Sequence, residues 1–215
     1  MLDVTPGQFI KIAGKNLTYS YVNRMQHYRY GPAVFKVDWI LDGPVPWAAE
    51  PCRNAGTVHA GGTMEEIITA EKAVMRGQHP EKPFVLLVQP SLFDPTRSGS
   101  KRHVLWGYCH VPNSSTRDMT DAIENQIARF APGFKDRILA KGVMYPADLE
   151  RDNPNCAGGE ITGGIQSLRR LLFPQVSCHT PVGSTYLCSS SIPPGPGVHG
   201  MCGYHAARYA LRKLR

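Results

Sequence analysis

Gly195-Pro196-Gly197-Val198-His199-Gly200 spells G-x-G-x-x-G between a strand-like run at 185–188 and a helix-like run at 201–214. Placed there, the pattern usually opens a dinucleotide-binding βαβ unit. Only fifteen residues follow Gly200. They leave no room for a second parallel strand, or for the acidic residue about 20 positions on that holds a ribose. The turn is therefore expected to act by itself. A helix start preceded by glycines offers open N–H groups, a partial positive charge and an approach free of Cβ atoms. That suits a phosphate, or the edge of a flavin ring that becomes negative on reduction. A plain proline–glycine turn before a terminal helix is the alternative.

The rest of the chain reads as alternating short elements. Residues 33–40 alternate with period two, Phe35, Val37 and Trp39 on one face and Lys36 and Asp38 on the other, the mark of a half-buried strand. Residues 57–60 form a short strand ending at Gly61-Gly62. Thr63 and Glu66 then make a capping box for a helix that stops at Gly77. Residues 84–88 are apolar on both faces, and 103–111 are another strand. Met119, Ile123, Ile127 and Phe130 line one face of a helix ended by Pro132-Gly133. One or two helical turns over 134–139, a short strand at 142–145 and a glycine-rich loop over 153–164 precede the final strand, turn and helix. Asp3-Val4-Thr5-Pro6 reads as the tail of a strand entering a turn. Neighbouring strands with helices between them predict an α+β fold, a mixed or antiparallel sheet with helices on one side.

Composition excludes several classes. With 42% hydrophobic and 19% charged residues the chain is not disordered. No apolar stretch approaches the roughly 20 residues that span a bilayer. The net charge of +7 is scattered rather than blocked, which favours a general basic surface over a nucleic-acid site. Six spaced cysteines without C-x-x-C, and an N-terminus without a signal-peptide pattern, point to free thiols in a cytoplasmic setting. The histidines lack metal-ligand spacing, so no metal is expected.

The stretch 194–201, preceded by Tyr186-Leu187-Cys188-Ser189-Ser190-Ser191, resembles the C-terminal flavin signature of phytoene desaturase-like FAD-dependent oxidoreductases. It is most similar to the branch carrying the pyridine nucleotide-disulfide oxidoreductase domain name. Phe35-Lys36-Val37-Asp38-Trp39, Gly43-Pro44-Val45-Pro46-Trp47, Phe93-Asp94-Pro95-Thr96-Arg97 and Arg129-Phe130-Ala131-Pro132-Gly133-Phe134 carry the likeness along nearly the whole chain, in order. Pro196 departs from it, standing where the family favours a glycine and removing one N–H.

The resemblance implies the C-terminal part of a flavoenzyme, from a split or truncated reading frame. It would pass a hydride from an apolar substrate to flavin and be inactive without an N-terminal FAD-binding segment. Residues 1–30 would be a remnant or linker of the FAD domain, 31–165 the substrate-binding domain, and 166–215 the FAD-contacting strand, turn and helix. The cofactor would be FAD, bound by the complete enzyme and not by this chain alone, with Ser189, Ser190, Gly195, Gly197, Val198, His199, Gly200 and Met201 contacting it. His59, Arg97 and His110 would be candidates for the substrate pocket. Trp39, Trp47 and Trp106 read as core, or as the floor of that pocket. The expected partners are the substrate, the missing segment and a second copy in a homodimer, with no nucleic acid and no membrane span. The other reading is a non-catalytic binding or oligomerising module with the same fold.

Overall fold

The computed structural model describes residues 1–99 and 102–213, and of Leu171 the backbone alone. The elements in chain order are α1 (Pro6–Ala13), α2 (Tyr19–Gln26), β1 (Ala33–Leu41), α3 (Glu50–Arg53), β2 (Thr57–Ala60), α4 (Met64–Met75), β3 (Val85–Val88), β4 (His103–Val111), α5 (Thr120–Phe130), β5 (Ile138–Met144), α6 (Pro146–Asp152), α7 (Leu168–Leu172) and α8 (Met201–Lys213). They fall into two compact units, one of residues 1–31 with 150–215 and the other of residues 32–149. The segment 150–165, expected with the central unit, thus lies in the terminal one. There Asn155 Oδ1 accepts the Thr5 N–H at 2.9 Å, and the Ile165 N–H reaches the Arg29 carbonyl at 3.0 Å.

The central unit is α+β. Its five strands run in the order β2-β3-β4-β1-β5, with every neighbouring pair antiparallel. The alternation of β1 works as its sequence dictates: Phe35, Val37 and Trp39 are buried, while Lys36 and Asp38 stay partly open. At the centre, Gly107 of β4 lets β3 close in, since a Cβ there would meet the Leu87 side chain at 2.6 Å and the Leu86 carbonyl at 2.8 Å.

α5 lays Ile123 and Ile127 against the core that holds Trp39 and Leu105. It also buries Glu124, whose Oε1 accepts from Trp39 Nε1 at 3.0 Å and from Lys141 at 2.9 Å. α4 opens with the expected capping box and ends at Arg76, with Gly77 at φ +78°. Its Glu71 Oε2 lies 2.8 Å from Nδ1 of His110, which leaves β4 opposite the buried Cys109. Helices therefore meet both faces of the sheet rather than one.

Two elements depart from expectation. Residues 134–139 do not continue as helix, because a single 3-10 turn over Lys135–Arg137 leads directly into β5 at Ile138. The strand expected at 142–145 thus begins four residues earlier, pairing with β1 across an irregularity at Ile40/Leu41.

The terminal unit has its own core, in which Phe9, Tyr21, Met25 and Tyr28 pack with Leu187, Ile192 and Cys202. Its polar, tyrosine-rich start forms two helices. Pro6 opens α1, where its missing N–H costs nothing. The run at 185–188 is held by isolated bridges rather than a full strand: Leu2 pairs with Leu187 in parallel, and His179 with Tyr186 antiparallel. The entry at Asp3-Val4-Thr5-Pro6 does follow a strand-like contact. α8 starts at Met201 as expected, while Leu214, the far end of the predicted helix, lies outside the described residues.

Candidate functional site

Three hydrogen bonds, two of them through the Ser189 hydroxyl, fold the segment before α8 into a compact turn. Ser189 Oγ donates to the Val4 carbonyl at 2.8 Å and accepts the Ser191 N–H at 3.3 Å, and the Gly195 N–H closes onto the Ile192 carbonyl at 2.8 Å. Cys202, on the first turn of α8, points its thiol at the Ile192 and Gly195 carbonyls, 3.5 and 3.3 Å away. From the other side Arg170 donates to the carbonyls of Gly163, Ile165 and Ser190, stacked 5.4 Å from the Tyr28 ring. The Tyr28 hydroxyl donates to the Gly163 carbonyl, and burial first of all pushes its pKa up to about 12.

The glycines then carry the chain through positive-φ conformations that glycine adopts most readily. Gly195, Gly197 and Gly200 have φ of +101°, +156° and +65°. His199 folds back and accepts the Met201 N–H on Nδ1 at 3.0 Å. That bond uses the lone pair of Nδ1, so the ring serves as a cap for the first turn of α8. The N–H groups of Cys202 and Gly203 find no acceptor among the described residues.

These features border an open cavity of about 250 Å³, which Ser190, Gly195, Gly197, His199, Gly200 and Met201 all line. Two other predicted contacts stay outside it: Ser189 is buried and spent on Val4, and Val198 is fully exposed. Asp3, Cys188, Cys202 and Gly203 complete the wall. Asp3 could not be read from local pattern, because the Leu2–Leu187 bridge brings it there from the far end of the chain. Burial raises the Cys188 thiol pKa, and the Asp3 carboxylate raises it further, so the thiol stays protonated.

His59, Arg97 and His110 do not converge. His59 lines a separate apolar cavity of about 580 Å³ within the central unit, its ring 5.3 Å from Phe84. Arg97 lies on an exposed 3-10 turn, paired with Asp94 at 3.3 Å. His110 is engaged with Glu71. Of the tryptophans, Trp47 lines the apolar cavity, Trp39 is core, and Trp106 receives Lys36 over its ring at 5.7 Å. Phe84 and Phe130, which wall the same cavity, gave no sequence signal distinguishing them from core residues.

No protein-family model matches the chain. It is 35% identical over 151 residues, 63% of its length, to the mouse protein named pyridine nucleotide-disulfide oxidoreductase domain-containing protein 2. To the rat protein of the same name it is 33% identical over 151 residues. The chain spans about a quarter of these relatives, 26% of their length. An oxidoreductase from Methanosarcina mazei superposes with a TM-score of 0.58 over 96% of this chain and 42% of its own. At 11% identity that likeness is one of fold alone. Likeness to an oxidoreductase family thus rests on the two relatives, over 63% of this chain.

Proposed function

We propose that the chain is the C-terminal part of a phytoene desaturase-like FAD-dependent oxidoreductase. It would contribute the flavin-facing turn and the substrate domain, and work only when completed by a segment that binds the ADP half of FAD. The observation that carries this reading is the cavity at the start of α8, where positive-φ glycines and two open N–H groups face the same space. The relatives' name, a pyridine nucleotide-disulfide oxidoreductase domain, agrees with a flavin or nucleotide cofactor. The sequence holds a single G-x-G-x-x-G, the one already assigned to this turn.

The residues suit a ring edge better than a phosphate. Pro196 gives no N–H, and the Asp3 carboxylate in the wall repels an anion. About 250 Å³ is below the roughly 300–1,000 Å³ of pockets that bury a whole ligand, so one end of the cofactor would enter. When bound, flavin supplies the redox chemistry by accepting a hydride. Gly195, Gly197 and Gly200 would let the backbone approach the ring, and the Cys202 and Gly203 N–H groups would donate to a ring carbonyl. The positive end of α8 would favour charge growing there by about 0.3–1 kcal/mol, up to about 2 when partly buried, with the Asp3 carboxylate opposing it.

The test is a fusion of this chain behind the preceding region of the mouse relative. The chain alone is expected to purify colourless, and the fusion to carry one flavin per chain, lost on Gly200→Val. A folded, colourless fusion would overturn the reading in favour of a non-catalytic module. Stoichiometric flavin on the chain alone would remove the need for a completing segment.

A further inference from the structure

The apolar cavity of the central unit has a chemistry of its own. Trp47, Val58, Ile67, Phe84 and Phe130 supply apolar wall, three of the five aromatic. Its volume, about 580 Å³, lies inside the roughly 300–1,000 Å³ that close around a compact ligand. The wall carries one full charge, Arg129, whose guanidinium is already engaged by Glu66, a carboxylate that Lys82 also reaches at 3.5 Å. Arg129 Nη2 sits 3.0 and 3.2 Å from the two Glu66 carboxylate oxygens, and its Nη1 donates to Gln126. An ionic ligand would shed its hydration and find nothing to replace it. A neutral aromatic ligand would gain apolar burial and ring-edge contacts. His59 stands at the wall with one ring edge against Phe84 and its side chain otherwise exposed.

We infer that this cavity binds a compact, neutral aromatic molecule bearing one hydrogen-bonding group, with its rings against Phe84 and Phe130 above the buried Trp47 and its polar group at His59. The binding stands independently of the flavin reading; that the ligand is the redox substrate rests on it.

The full chain would be titrated with neutral N-phenyl-1-naphthylamine and, in parallel, with anionic 1-anilinonaphthalene-8-sulfonate. The neutral probe is expected to saturate at one per chain, and to slow iodoacetamide alkylation of Cys52, which lines the same cavity. The anionic probe should bind about tenfold more weakly or worse, the cost of an unpaired charge in an apolar site. Ala48 is exposed at the wall, so Ala48→Trp should fill the space without disturbing the core. It should weaken the neutral probe by at least about tenfold through lost apolar contact, while melting at the parent temperature. Protection of Cys52 in the unaltered chain supplies the same answer without a variant. Any of three results overturns the inference: no saturable binding, equal affinity for the anionic probe, or sedimentation showing that a second copy displaces the probe. A flavin-free fusion with an intact probe site would sink the flavin reading alone, and the converse would sink this one alone.

Discussion

The imidazole of His199 lies across Gly197, so that a Cβ on Gly197 would sit 2.6 Å from the ring's Cδ2. The same ring caps the Met201 N–H, which makes the glycine a condition of the cap. Gly197→Ala would place a side chain at φ +156° and push the ring off the helix end. We expect it to destabilise the terminal unit by about 1–3 kcal/mol, the range for a strained backbone position, read by urea unfolding. Gly203→Ala meets nothing within 4 Å and, lying inside α8, should stabilise slightly, by up to about 1 kcal/mol. Equal losses from both would show that the turn does not depend on the His199–Gly197 contact.

Glu124 is the polar centre of the α5 interface, 5% exposed and serving both Trp39 and Lys141. Glu124→Leu strands the buried indole N–H and should cost about 1–3 kcal/mol. Glu124→Gln keeps an acceptor for Trp39 and should cost clearly less. Lys141→Met leaves the buried Glu124 carboxylate without its cation and should cost at least as much as Glu124→Leu in unfolding free energy.

What the sequence disclosed was local chemistry. The alternation of Phe35, Val37 and Trp39, the Thr63/Glu66 box and the stop at Gly77 each follow from residues within a few positions of one another. α1 and α2 were hidden because their buried set is thin: Phe9 and Ala13, then Tyr21 and Met25, within polar surroundings. The first half of β5 carries no strand signal because it is an edge strand with mostly exposed side chains, held by pairing with β1 rather than by an apolar pattern. In the candidate site, Gly195 to Met201 were legible as one motif. Asp3 was not, because only a long-range bridge puts it there. Nor could spacing show that His59, Arg97 and His110 take separate partners.

Asp118 links the start of α5 to Tyr145. Its carboxylate accepts the Thr120 N–H at 2.7 Å and the Tyr145 hydroxyl at 3.2 Å. Hydrogen bonding from Thr120, and secondarily from Tyr145, holds its pKa below the usual carboxylate value. A depressed folded-state pKa contributes stability that is complete above the unfolded pKa and is lost as pH falls through the folded one. Urea midpoints measured from neutral pH downward should therefore drop less steeply for Asp118→Asn than for the parent. Parallel acid limbs would show that this carboxylate does not govern the loss.

Cys188 and Asp3 share the wall of the glycine-turn cavity, and burial followed by the Asp3 carboxylate keeps the thiol above its ordinary pKa. Thiolate, not thiol, is the alkylating nucleophile. Iodoacetamide labelling of Cys188, followed by mass spectrometry across an alkaline pH series, should reach half-maximal rate above the pH typical of an exposed cysteine. Asp3→Asn removes the negative neighbour while leaving the burial. Its labelling curve should shift to lower pH and stop short of the exposed-cysteine value. If the curve did not move, burial alone would account for the raised thiol. Asp3 would then exert no field in the cavity, and the argument that it turns a phosphate away from the start of α8 would fall with it.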